Sequence, residues 1–296
     1  MKLHYAPLAI AVLAIACDKT PPKQETTTTA AAAPETDKVE KTIRASGSSA
    51  LQPLVNAAKE KFEATNKGKS VEVSAGGSKK GLADVSSGAV QIGNSDIFAP
   101  ADMKDLVDHK VAVVGFAAMA NKGPWSEKVQ AISKDDLAKI FTGKIKNWKE
   151  LGGEPQPIVV INRAAGSGTR TMFGNVVLGG DSFVESQTED NSGALVAKLK
   201  QTKGAISYLA LSFKDADLVT VSLKGDKGAV EPSEENITTG TYPIWAYEHM
   251  YTKGEATGTT KAFLDYVLSP AFQDAVLPTV KGFIPVTKMK ISRDKD

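Results

Sequence analysis

The chain has 296 residues, 42% hydrophobic and 24% charged, which is enough to bury the cores of two domains of ordinary size. A formal charge of +2 with no clustered Lys/Arg run excludes a broad face for nucleic acid or anionic membrane. One cysteine excludes an intrachain disulfide and a Cys-based metal site, and three scattered histidines leave metal chemistry little to work with.

The first element is an N-terminal leader. Met1-Lys2 gives a positive start, and Ala6 to Ala16 is an uncharged apolar run. That run has the length of a signal h-region and is too short to span a bilayer. It ends at Ala14-Ile15-Ala16-Cys17, which resembles the lipobox of bacterial lipoproteins but has Ala14 where that motif prefers Leu. The resemblance implies cleavage before Cys17 and acylation of its thiol; without it, the segment reads as an ordinary signal peptide with an incidental Cys. Residues 1–16 are thus expected to be a lipoprotein signal peptide. Residues 17–41, rich in Thr, Ala, Pro and charge with no aromatic, cannot offset their ordering entropy and are expected to be a disordered tether.

From Thr42 the pattern alternates between strand and helix. Thr42–Ala45 reads as a strand, and Gly47-Ser48-Ser49 opens a helix with apolar positions Leu51, Leu54, Val55, Ala58 and Phe62. Val71–Val73 is the next strand, and Gly76-Gly77-Ser78 opens a second helix. Ala89–Gly93 reads as a strand ending at Ser95-Asp96, and Val111–Met119 as a long apolar strand. Asp135–Phe141 reads as a helix, Ile158–Ile161 as a buried strand, and a further helix runs from Arg170. Strand, glycine-rich turn and helix recur, which predicts parallel sheets with helices on both faces.

Three of these turns share one physical form: Ser46-Gly47-Ser48-Ser49, Gly76-Gly77-Ser78, and Ala165-Gly166-Ser167-Gly168-Thr169. A helix N-terminus leaves backbone N–H groups unpaired and carries partial positive charge. Glycine admits close approach, and Ser and Thr add hydroxyl donors. Any one turn alone is better read as a helix cap. Three together, the last beside Arg163 with its fork of N–H donors, make an oxyanion site the better reading. Asp96 then has a place. Phosphate near neutral pH carries a proton that a carboxylate can accept, whereas sulfate would leave the carboxylate unpaired against an anion. Read by itself, Asp96 could equally cap a turn or pair with a lysine.

At this point the residues resemble a known family, the substrate-binding proteins of Pst-type phosphate ABC transporters in their compact lipoprotein form. The markers are GSSALQPL (47–54), GAVQIGNSD (88–96), IFTGKIKNWKELGG (140–153), INRAAGSGTRTMF (161–173), GAISYL (204–209) and GTYPIWAYEHMYTKG (240–254). The resemblance implies an α/β fold, the two-lobed periplasmic-binding-protein type II, with hinged lobes of mixed sheets flanked by helices. It implies lobe I at 42–117 plus 243–296 and lobe II at 118–242. It implies a phosphate site made of Ser49, the Ala50 N–H, Ser78 and Asp96 on one lobe and Arg163, Ser167, Gly168 and Thr169 on the other. The partners implied are inorganic phosphate, the permease subunits of the transporter, and a membrane reached through lipid on Cys17.

The expected protein is an exported monomer, anchored at the periplasmic face or outer surface of the cytoplasmic membrane. It needs no cofactor, metal or nucleic acid and catalyses nothing. Two positions depart from the family pattern. Lys79 and Lys80 follow Ser78 where Gly is common, and read as solvated surface. Ala165 stands where some members carry an acid for the site arginine, while Arg170 adds charge behind the site or faces solvent. Trp125, Trp148 and Trp245 read as core or interlobe packing rather than sugar stacking. The alternatives are a hydrolase using Ser167, a receptor for sulfate, molybdate or arsenate, and a phosphate sensor or adhesin. The first lacks G-x-S-x-G and a nearby His, and no P-loop motif is present.

Overall fold

The structure, a computed structural model, describes residues 41–294. The signal peptide (1–16), the lipidation of Cys17 and all but the last residue of the 17–41 tether lie outside the described residues.

The chain enters through β1 (Thr42–Gly47), whose alternate residues Ile43 and Ala45 are buried. Helix α1 (Gln52–Thr65) follows; Pro53 sits in its first turn, and Leu54, Val55, Ala58 and Phe62 form the buried stripe. β2 (Ser70–Ala75) pairs parallel to β1, with Ile43 opposite Val71. Helix α2 (Ser78–Ser86) begins after Gly77, which holds a φ of 84°. β3 (Ile92–Ser95) lies parallel on the other side of β1.

The strand predicted from Ala89 starts instead at Ile92. Gly88 takes a φ of 77° at the end of α2, and the amides of Ala89 and Val90 both donate to the Asp84 carbonyl. They close the helix and are not free for a ladder.

β4 (Leu106–Asn121) is longer than its predicted apolar centre. Next come α3 (Lys134–Phe141), capped by Ser133, then β5 (Val159–Arg163) and α4 (Gly168–Phe173). β6 (Gln187–Glu189), α5 (Ser192–Gln201), β7 (Ala205–Ala210) and β8 (Leu218–Thr220) follow. β9 (Trp245–Lys253), α6 (Gly258–Leu268) and β10 (Phe283–Ile284) are the last principal elements.

The strands of the large sheet run in the order β2-β1-β3-β9-β4-β7-β5-β6, with β8 and β10 also on β4. Each half has a parallel centre: β2, β1 and β3 in one, and β7, β5 and β6 in the other. The middle is antiparallel, which corrects the expectation of parallel sheets throughout. β4 runs antiparallel to both β9 and β7. A strand that passes from one half to the other, and another that returns, must run in opposite senses. β4 pairs with β9 up to Gly115 and with β7 from Phe116 onward. Its stretch from Val111 to Ala120 is buried on both faces, which explains a continuous apolar run rather than an alternating one.

The core carries aromatic clusters in both halves. Phe62 meets Phe263 edge-on at 5.3 Å, and Phe173 stacks on Tyr208 at 4.6 Å. Trp148 and Trp245 are fully buried; Trp148 Nε1 donates to the Gly204 carbonyl at 3.0 Å, and the Arg293 guanidinium covers the Trp245 ring at 3.8 Å. Trp125 is partly buried against the same core. Among the described residues, no helix is long and apolar enough to cross a membrane.

Candidate functional site

Parallel strands deliver their C-terminal ends to one edge, and helix N-termini return from the same edge. Here β1 delivers Ser48 and Ser49, β3 delivers Asp96, and β5 ends on Arg163. α2 opens with Ser78, while α4 opens with Gly168 and Thr169 behind the cap Ser167. Each of these side chains is no more than 2% exposed.

Asp96 is the centre of the arrangement. Its Oδ1 accepts from Ser48 Oγ, and its Oδ2 accepts from Thr169 Oγ1 at 2.8 Å. Its backbone N–H donates to Ser78 Oγ at 2.9 Å. Thr169 and Ser48 come from opposite halves of the chain, so one carboxylate bridges both.

Arg163 reaches back the other way. Its Nη2 donates to Ser49 Oγ at 3.1 Å, while Nε and Nη1 are buried with no protein partner. Burial pulls the guanidinium pKa below its ordinary value, and the negative field of Asp96, with Tyr208 and Asp190 behind it, works against that pull. Two buried nitrogens of a cation, with three N–H groups between them, are costly to leave unpaired unless an anion accepts from them.

The other expected residues make contacts within the protein. Ala50 N–H donates to Ser48 Oγ at 3.0 Å, as does Leu51 at 3.2 Å, so Ser48 closes the turn that leads into α1. Ser167 Oγ caps α4 by accepting from Arg170 N–H at 3.2 Å. Gly168 is required by close approach: a Cβ there would lie 2.2 Å from Ser78 Oγ and 3.0 Å from Asp96 Cβ. Beside it the two glycine loops touch, with Lys79 N–H donating to the Gly166 carbonyl at 3.1 Å. A cavity of about 280 Å3 opens at this seam, lined by Gly76, Gly77, Gly166, Ser167, Asp190 and Asn191 among others.

The two departures resolve. Lys79 and Lys80 are exposed, and Lys80 pairs with Asp84 at 2.5 Å. Ala165 is exposed. Arg163 is oriented instead by its backbone: its carbonyl accepts from Arg170 Nη1 at 2.7 Å, and its N–H donates to Tyr208 Oη at 3.3 Å. Burial pushes the Tyr208 hydroxyl up to about 12. It therefore keeps its proton and donates to Asn162 Oδ1 at 3.3 Å.

Three residues were not anticipated. Ser48 rather than its neighbour Ser49 holds Asp96. Ser192, at the start of α5, places both its N–H (3.2 Å) and its Oγ (3.0 Å) on Ser49 Oγ. The Asn191-Ser192-Gly193 turn ahead of an apolar helix was a legible signal of the same cap type. Glu248 on β9 is fully buried behind Asp96, and nothing local in its sequence marks it.

The fold agrees with comparisons to known proteins. The PBP superfamily domain matches residues 25–271. The phosphate-binding protein PstS of Bacillus subtilis (strain 168) is 52% identical over 263 residues, covering 87% of this chain and 85% of the relative. A Clostridium perfringens protein assigned as a phosphate ABC transporter substrate-binding protein, solved with bound phosphate, superposes with a TM-score of 0.76 at 30% identity, covering 83% of this chain and 99% of that one. An ABC-type phosphate transport receptor from Vibrio cholerae shares the fold, with a TM-score of 0.65 at 22% identity over 82% of this chain and 99% of that one. The chain belongs to the PBP superfamily, with the two-lobed α/β fold of that superfamily, and to the same family as the phosphate-binding protein PstS.

Proposed function

We propose that the chain binds inorganic phosphate in the cleft between its lobes and delivers it to the permease of an ABC transporter for import. One observation carries this reading: a buried guanidinium with two unpartnered nitrogens shares a buried site with a carboxylate already bonded from both halves. The first answers an anion, and the second answers an anion's proton. The names of the Bacillus subtilis and Clostridium perfringens relatives support the same ligand.

In this reading Ser49, the Ala50 N–H, Ser78 and Asp96 belong to lobe I (42–117 plus 243–296), and Arg163, Ser167, Gly168 and Thr169 to lobe II (118–242). Asp96 accepts the P–O–H hydrogen bond and excludes fully deprotonated oxyanions. Ser192 joins the set through Ser49. The protein acts as a monomeric receptor that releases phosphate unchanged. It is exported, and lipid on Cys17 with the 17–41 tether holds it at the membrane within reach of the permease.

The test is calorimetric titration of the chain from Asp18 onward, stripped of bound anion, with phosphate and then sulfate at pH 7. One-to-one phosphate binding with no sulfate heat is expected. Silence with both anions in folded protein would overturn the reading.

A further inference from the structure

The β9 segment holds a carboxyl that the site described above does not use. On this strand Trp245, Tyr247, His249 and Tyr251 form a continuous aromatic row, with successive ring centroids 5.4, 6.2 and 5.4 Å apart. Strand residues alternate between faces, so Ala246, Glu248 and Met250 form the opposite row. Glu248 is the one charged type among three buried residues there.

The ladder fixes what Glu248 faces. β9 runs antiparallel to β3 with Met250 opposite Asn94 and His249 opposite Ser95. Glu248 precedes His249 and Asp96 follows Ser95 in the chain, so both carboxyls adjoin the end of this ladder. Glu248 is fully buried, and neither carboxyl oxygen accepts from an N–H or hydroxyl donor. Its partner across β4 is Ala112, which cannot titrate. The neighbouring His249 is engaged by Asp108 at 2.7 Å. Asp96 is the charged group that acts on Glu248, and Asp96 acts on Arg163 as well. Burial first, then the charge and hydrogen-bonding reach of Asp96, push the Glu248 carboxyl well above the ordinary glutamate range.

Acceptor counting supplies the reason for such a group. A carboxylate offers about four acceptor positions. Ser48 and Thr169 occupy one on each Asp96 oxygen. Two remain, one for the proton of a bound anion and one for a donor from behind.

We propose that Glu248 carries a proton and lends it to Asp96, so that this carboxyl pair holds one negative charge and Asp96 stays an acceptor for the ligand's proton. Glu248 is then a positioning and specificity-determining residue of the phosphate site, a role that rests on the receptor reading above. No bond between heavy atoms forms or breaks; the proton stays on Glu248 and is shared in a hydrogen bond. Loss of that proton at alkaline pH places a second negative charge behind Asp96 and weakens binding of any anion in the cleft.

The test uses the chain from Asp18 and its Glu248→Gln variant, whose amide still donates but cannot ionise. Infrared spectra of the ligand-free wild type at pH 7 are expected to contain a protonated-carboxyl band. That band should fade as pH rises and be missing from E248Q. Phosphate affinity of each protein is followed from pH 7 to pH 9 and expressed relative to its own value at pH 7. At pH 9, where phosphate still carries a proton, the wild type should fall behind E248Q by roughly tenfold for each pH unit above the Glu248 pKa. Absence of the band from wild type, or parallel pH profiles for the two proteins, overturns the proposal. The band is read without ligand and without the variant. A wild type that has the band but binds no phosphate would therefore sink the receptor reading on its own.

Discussion

At the scale of single residues, the site is a matter of which atoms donate and which accept. Ser48 and Thr169 can only satisfy Asp96 as donors if both of its oxygens accept. Asp96→Asn replaces one of those oxygens with a donor, so one hydroxyl faces an N–H and the ligand's proton loses its acceptor. Phosphate affinity is expected to fall by about 2–3 kcal/mol, and the gap between phosphate and sulfate to narrow. Titrating both anions against the variant checks this; an unchanged ratio would remove Asp96 from selectivity. Most of this chemistry could be read in advance. Asp96 and Arg163 were legible because an acid and a fork-shaped cation stand beside glycine-serine turns. Glu248 was not, because it is distant in sequence from Asp96, and only the pairing of the neighbouring β3 and β9 brings it to this part of the fold. Nor does a GSS triplet say which serine turns inward.

At the scale of elements, two helices must start almost in contact. The first residue of α4 lies against the first of α2, and Gly168 leaves no room for a side chain beside Ser78. Gly168→Ala is expected to weaken phosphate binding by about 1–3 kcal/mol through this overlap. The added methyl opposes only the approach of the two helices, so the melting temperature without ligand should change little. A variant that loses both equally would mean that Gly168 serves folding rather than the closed cleft. Helix starts and strand centres were legible from periodicity, as with α1 and the apolar middle of β4. Strand direction was not. Recurrent strand–turn–helix units favour a parallel sheet, and local pattern carries no sign that β4 and β9 are passages between halves rather than members of either.

At the scale of the whole molecule, a ligand held from both sides stabilises the closed, folded chain by mass action. At a phosphate concentration a thousandfold above Kd the gain is about 4 kcal/mol. For a chain of this length that is a rise in melting temperature of roughly 8–16 °C, at ~2–4 °C per kcal/mol. Calorimetry with phosphate and with sulfate checks this, and equal shifts would point to a salt effect rather than a site.

The two passages between the halves are hydrogen-bonded neighbours, β4 against β9, with a register shift between Glu248 and His249. A paired ribbon resists being splayed but yields readily to torsion, and a bulge is where its twist concentrates. Any opening of the lobes is thus expected to follow a torsion bar, not a jaw on two separate cords, and no rung of the ladder need break. The register shift adjoins Glu248, so on the proposal above mechanical angle and proton affinity would be set at one place on the chain.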